Sequence, residues 1–244
     1  MNLVIDIGNS KTKLALFRDD EIESVSAFDT DSAQKLKQEL KKLKKVNKCI
    51  ICSVSDYPVL LKSFVECNDI KTLELNSSTP LPFKNSYKTK ETLGKDRLAA
   101  VAGAYKLYPN QDVLVIDAGT AITFDLLTNE GIYSGGNISP GLNTRFNALH
   151  KFTSRLPLLN PSKTMNFLGN TTEEAIINGV QNGLIFELNG YIETLISDHP
   201  ELVVILTGGD AQFFDNKLKK PIFVDSNLTL KGLNFILEYN AQTF

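Results

Sequence analysis

The chain has 244 residues, of which 42% are hydrophobic and 22% charged, and its formal net charge is −2. That length is comfortable for two lobes, each with a core. The balanced, slightly acidic composition argues against a nucleic-acid partner, and the absence of a basic apolar leader and of any run able to span a bilayer leads us to expect a cytoplasmic protein with no membrane partner.

The apolar segment Asn2 to Ile7 predicts a strand ending at Gly8, and Lys13 to Phe17 a second, so the two form a hairpin. A third strand is expected over Glu21 to Phe28. From Asp31 to about Lys45, Leu36, Leu40 and Leu43 fall on one face of an amphipathic helix, and its lysines form an ordinary solvated face. The strand "CIICSV" follows. Its Cys49 and Cys52, at i and i+3 on a strand, point to opposite faces. No second C-x-x-C or His pair accompanies them, so they are read as buried structural thiols rather than a metal or redox pair. Three cysteines are too few for a disulfide framework. A short helix over Val59 to Val65, a strand over Thr72 to Leu75 and an irregular loop over "NSSTPLPFKNSY" come next. After Gly94, "KDRLAAVAGAYKLY" predicts a helix ending before Pro109, which closes a first lobe spanning 1–111.

From Asp112 the pattern restarts, and 112–244 is the expected second lobe. It comprises strands "VLVID" and "AITFDLL", a third from Ile132 into "SGGNISPG", and a long helix from about Thr172 to Ser197. Strand "LVVIL", turn "TGGD", strand "IFV" and a last helix complete an α/β chain. Placing Val115 under Val4 superposes Asp117 on Asp6, Gly119 on Gly8 and Thr123 on Thr12, which indicates a duplicated unit. Each Asp ends a strand, and the following Gly lets the backbone approach a ligand. Ser10, Thr12 and Lys11 or Lys13 add donors at the first turn, and Thr120 at the second. Such parts suit nucleotide phosphates and a hard cation. There is no P-loop and no G-x-G-x-x-G.

"DIGNSKTK", "DAGT" and "TGGD" resemble the phosphate and adenosine motifs of the actin, Hsp70 and sugar kinase superfamily. "GKDRLAAVAGA", "GGNISPG" and "TEEAIINGVQNG" narrow the resemblance to type III pantothenate kinase, over nearly the whole chain and in the expected order. The resemblance implies an α/β, duplicated actin-like (ribonuclease H-like) two-lobed fold with an interlobe ATP cleft. It also implies ATP-dependent phosphorylation of the primary hydroxyl of pantothenate to 4'-phosphopantothenate, the first step of coenzyme A biosynthesis.

By the same resemblance Asp96 is the general base, and Gly94, Lys95 and Arg97 lie against the substrate. Arg97 can hold either the pantothenate carboxylate or the transferring phosphoryl group. Tyr87 resembles a tyrosine lining the pantothenate pocket, and Thr172 a threonine contacting pantothenate, with Thr171 beside it leaving the register open. Asp6 resembles the residue holding Mg-ATP, within a phosphate turn made of Ile7, Gly8, Asn9, Ser10, Lys11, Thr12 and Lys13. Asp117 resembles the ligand of a monovalent cation, K+ or NH4+, and Thr120 an ATP contact. A homodimer is implied, with the long helix at its interface carrying Thr172 to the neighbour's site.

Read without the resemblance, Asp96 is equally a helix-capping residue, Tyr87 a loop tyrosine, and either threonine the N-cap of the long helix with Glu173 or Glu174 nearby. His150 and His199 lack partners at ligand spacing. Two rival functions are another phosphotransferase or phosphohydrolase of the superfamily, and a non-catalytic regulatory relative. "GKDR" with Tyr87 argues against the first, and the joint retention of Asp6, Asp96, Arg97 and Asp117 against the second.

Overall fold

A computed structural model describes residues 1–43, 45–54 and 58–241. The chain forms two compact units: Met1–Asn110 with Glu130–Ser134 and Asn227–Phe244, and Gln111–Asn129 with Gly135–Ser226. It leaves the first unit one residue before the expected division, and it returns to that unit twice.

In the first unit β1 (Asn2–Ile7), β2 (Lys11–Arg18) and β3 (Glu21–Asp29) form an antiparallel meander. After α1 (Ala33–Lys42), β4 (Lys48–Ser53) lies parallel to β1. After α2 (Val59–Cys67), β5 (Lys71–Glu74) lies parallel to β4, so the strand order is β3-β2-β1-β4-β5. Helix α1 is shorter than expected at both ends, and Lys44, within the expected helix, lies outside the described residues. Leu3, Ile5, Ile7, Cys49 and Ile51 share one sheet face, against Leu36 and Leu40 of α1 and Leu61 and Val65 of α2. The expected loop contains one short strand, β6 (Lys84–Asn85), and then α3 (Lys95–Leu107) packs on β4.

In the second unit β7 (Val113–Ala118) and β8 (Ala121–Leu127) form a hairpin. Strand β9 (Ile132–Pro140) begins in the first unit, where Ile132 and Tyr133 pair in parallel with β6, and continues into the second beside β8. Helix α4 (Leu142–Phe152), unforeseen in the sequence, precedes α5 (Thr172–Asp198). Strand β10 (Val203–Thr207) is parallel to β7. Past α6 (Ala211–Phe214), β11 (Phe223–Val224) is parallel to β10. The strand order β9-β8-β7-β10-β11 repeats that of the first unit, which establishes the duplication. Leu114, Ile116, Ile122 and Phe124 pack on Leu142 and Phe146 of α4 and on Ile176, Leu184 and Leu188 of α5.

The last helix, α7 (Leu228–Asn240), belongs to the first unit. It crosses α3 backbone to backbone. A Cβ on Gly232 would lie 1.8 Å from the Ala99 carbonyl oxygen, and the Asn2 amide of β1 donates to Asn234 at 2.8 Å and to Glu238 at 2.6 Å. No described helix is long and apolar enough to cross a membrane.

The duplication corrects one expectation. Asp6 pairs across its hairpin with Lys13, whereas Asp117 pairs with Thr123. The second turn is one residue shorter, so Thr123 corresponds to Lys13 and not to Thr12.

Candidate active site

On β1 the residues alternate between faces, and Asp6 projects from the face opposite Ile5 and Ile7. Its register partners on that face are Lys13 of β2 and Cys52 of β4. Burial, above all, pushes the Asp6 carboxyl up to about 6. The Lys13 ammonium opposes the rise, the Asp96 carboxylate adds to it, and a hydrogen bond from the Cys52 thiol opposes it. Burial and then the charges of Asp6 and Asp96 hold that thiol well above its ordinary range, so it remains a donor. Cys49 and Cys52 are both buried and point to opposite faces, as expected.

Asp96 lies in the first turn of α3, after the N-cap Gly94, where the helix dipole favours a carboxylate. Its Oδ1 accepts from the Arg97 backbone N–H at 2.9 Å. A Cβ on residue 94 would sit 2.5 Å from that oxygen, so glycine leaves the room into which the carboxylate folds. Lys95 is half-buried, with its charge near Cys52. Arg97 is buried, its Cζ 5.7 Å from the centroid of the half-buried Tyr87 ring.

The other residues of the first turn divide. Ile7 points into the core, leaving only its backbone for a ligand. The Gly8 N–H donates to the Lys11 carbonyl at 3.0 Å, closing the turn, and Asn9 and Ser10 are exposed. The Lys11 ammonium lies 2.7 Å from Asp29, and the buried Thr12 hydroxyl donates to Thr30 at 3.1 Å. The first unit thus brings together Asp6, Lys13, Cys52 and Asp96, and pairs Tyr87 with Arg97. Cys52 has no local signal in the sequence, because its place beside Asp6 depends on β4 pairing with β1.

In the second unit Asp117 is the penultimate residue of β7, flanked by register partners Thr123 on β8 and Thr207 on β10. The Thr123 hydroxyl is buried and makes no hydrogen bond among the described residues. Thr120 is exposed at the turn, and its carbonyl accepts from Gly141 N–H at 3.0 Å and from the Thr144 hydroxyl at 2.6 Å. Gly208 has φ +95, and a Cβ there would lie 2.4 Å from both the Ala118 carbonyl and the Asp117 carboxylate. The TGGD turn therefore packs directly on the Asp117 turn, and the Asp210 N–H donates to the Ala118 carbonyl at 2.9 Å. Burial raises the Asp210 carboxyl.

At the start of α5 the two threonines take different structural places. Thr171 is the N-cap and its hydroxyl accepts from the Glu174 N–H at 3.2 Å, so Thr172 is the first helical residue and is exposed. Arg145 of α4 pairs with Glu187 of α5 and donates to Ser139 at 2.9 Å.

Comparison with known proteins agrees with this architecture. A crystal structure of a Campylobacter jejuni protein, provisionally named a Baf family transcriptional activator, superposes with a TM-score of 0.63 at 25% identity, covering 98% of this chain and 99% of that one. A glucokinase from an Antarctic psychrotroph has a TM-score of 0.52 at 12% identity over 98% of each chain, a likeness of fold alone. The fold is the duplicated, two-lobed actin-like one. A curated relative from Bacteroides fragilis named type III pantothenate kinase is 47% identical over 240 residues, 98% of each protein. The family model described as type III pantothenate kinase matches residues 2–194, and the chain belongs to that family.

Proposed function

We propose that the protein transfers the γ-phosphoryl group of ATP to the primary hydroxyl of pantothenate, giving 4'-phosphopantothenate and ADP. The observation that carries this reading is the grouping of Asp96, at a helix start, with Asp6 near the end of β1 and its partner Lys13 on β2. Asp96 takes the proton of the attacking hydroxyl, and the phosphoryl group passes to the freed oxygen. Tyr87, Gly94, Lys95, Arg97 and Thr172 are the residues assigned to pantothenate. Ile7, Gly8, Asn9, Ser10, Lys11, Thr12, Lys13 and Thr120 are assigned to ATP. Residues 1–111 and 112–244 are the two duplicated halves.

Asp6 and Asp96 together carry more negative charge than Lys13 offsets, and their oxygens suit Mg2+. No cluster of three or more His, Cys, Asp or Glu able to hold a metal occurs among the described residues. This fits an ion that arrives with the nucleotide phosphates and takes one or two protein carboxylates. Its chemistry when bound is neutralisation of phosphate charge.

The monovalent cation belongs at Asp117. In the first half Lys13 faces the equivalent Asp6, but Asp117 faces the neutral Thr123, whose buried hydroxyl suits a K+ or NH4+ ligand. Thr123→Lys should supply the missing ammonium and reduce the response to potassium by about tenfold. The checks are activity and the potassium-induced rise in melting temperature. An unchanged response in both would remove Thr123 from the cation site.

The homodimer reading is supported by α5. Thr172, Ala175, Gly179, Gly183, Phe186 and Gly190 fall on one helical face, Phe186 is 57% exposed beside the 76% exposed Phe167, and a Cβ on any of the three glycines would meet nothing within 4 Å. Gly183→Lys should improve helix propensity by several tenths of a kcal/mol. It should nevertheless halve the mass seen by light scattering, because it blocks close approach of a second copy. A dimer of undiminished stability would exclude this face.

The functional reading is tested by ADP release from Mg-ATP, with and without pantothenate, in potassium and in sodium. Release that requires pantothenate and potassium supports it. Pantothenate-independent release points to another phosphotransferase or a hydrolase, and no release in either buffer to a regulatory relative.

A further inference from the structure

We infer that Tyr133 is a positioning residue for the acceptor: its ring sets Tyr87, and through Tyr87 the Arg97 guanidinium, in the orientation that receives pantothenate. The inference rests on the reading that Tyr87 and Arg97 line the pantothenate pocket.

Tyr87 has little local structure to hold it. It follows the two-residue strand β6 and precedes a single 3-10 turn over Lys90–Thr92. What orders this segment is the start of β9. Ser86 N–H donates to the Tyr133 carbonyl at 3.1 Å, Lys84 N–H to the Gly131 carbonyl at 2.9 Å, and Asn85 is the register partner of Tyr133. Within the segment the Asn85 side chain accepts from the Tyr87 N–H at 2.9 Å.

The rings continue the same connection. Tyr133 is 0% exposed and lies nearly parallel to Tyr87, with centroids 6.2 Å apart and an interplanar angle of 8°. Phe83 meets the Tyr133 ring edge-on at 6.5 Å, and Tyr105 backs Phe83 at 6.1 Å. A column of rings, with Tyr133 and Phe83 buried and Tyr105 half-buried, therefore ends on Tyr87, whose face carries the Arg97 guanidinium. Arg97 is only 5% exposed, so its fork of donors must be held in one orientation to meet a planar anion. The Tyr133 ring, stacked parallel to Tyr87, backs the ring that carries the guanidinium and so fixes the side from which Arg97 is approached.

The test uses the full-length protein. Tyr133→Leu and Tyr133→Met remove the ring and keep the site apolar, and Tyr133→Phe keeps the ring. In steady-state kinetics Leu and Met should raise KM for pantothenate about tenfold with KM for ATP within twofold, while Phe stays within twofold for both. Tyr87→Leu should raise the pantothenate KM similarly, and the Tyr87→Leu/Tyr133→Leu double variant should be no worse than Tyr87→Leu, because Tyr133 acts through Tyr87. Hydrogen exchange over residues 86–93 should speed up about tenfold in the Leu and Met variants and not in Phe.

Multiplying effects in the double variant, equal increases in both KM values, or unchanged exchange would overturn the inference. So would failure of both Leu and Met variants to fold while Phe behaves normally, since the ring would then serve the core alone. If the wild type released no ADP with pantothenate, or Tyr87→Leu left its KM untouched, the reading of the pocket would fail. The exchange measurement would then still decide whether Tyr133 sets Tyr87.

Discussion

Asp96→Asn should lower turnover by about 10²–10⁴-fold while both substrates bind within a few-fold of their wild-type affinities. Asparagine keeps the shape and can still accept from the Arg97 N–H, so the start of α3 and the room left by Gly94 should persist. What disappears is the group that takes the proton of the attacking hydroxyl. A loss confined to kcat, with KM values unmoved, separates the base from a residue that merely binds.

The same substitution should be felt at Asp6. The Asp96 charge helps to raise the Asp6 carboxyl, so its removal should let Asp6 lose its proton at a lower pH. The acid limb of Mg-ATP binding should therefore move to lower pH in Asp96→Asn, a shift readable by calorimetric titration across pH 5–7. Near-normal turnover would remove Asp96 as the base, and an unmoved acid limb would separate the two carboxylates electrostatically.

Local features of the fold and site were legible because period and turn chemistry are local. The strand, Asp-x-Gly turn and strand at Val4 and at Val115 were readable, as were the opposed faces of Cys49 and Cys52. What could not be read depends on distant pairing. Cys52 reaches Asp6 only because β4 lies beside β1, and Tyr133, in the sequence of the second half, folds with the first because β9 pairs with β6. The ungapped alignment of the halves misplaced Thr123 because two turns of different length close equivalent hairpins. Helix α7 packs on α3 across more than a hundred residues of intervening chain. Helix α4 has Gly141 as its N-cap, with no side-chain capping bond, so it lacks an initiating signal.

Asp6→Asn should make the ligand-free protein more stable at neutral pH even as it lowers turnover by at least about a hundredfold, the scale expected for lost phosphate-cation handling. Burial pushes the Asp6 carboxyl from 3.8 up to about 6, against the pull of Lys13. Between those two values the folded state binds more proton than the unfolded state, so stability falls as pH rises through the window. Above about 6 the full penalty is present, and below 3.8 it vanishes. The penalty is on the order of 1–3 kcal/mol, and a neutral isostere removes it. Asparagine should therefore melt several degrees above wild type at pH 8, with the gap closing by pH 4. Saturating Mg-ATP should reverse the order, because the nucleotide and its cation stabilise only a protein that binds them well. A variant less stable than wild type at pH 8, or a gap that stays constant with pH, would show that Lys13 and Cys52 already compensate the buried charge. Asp6 would then be a structural carboxylate rather than one held in readiness for a cation.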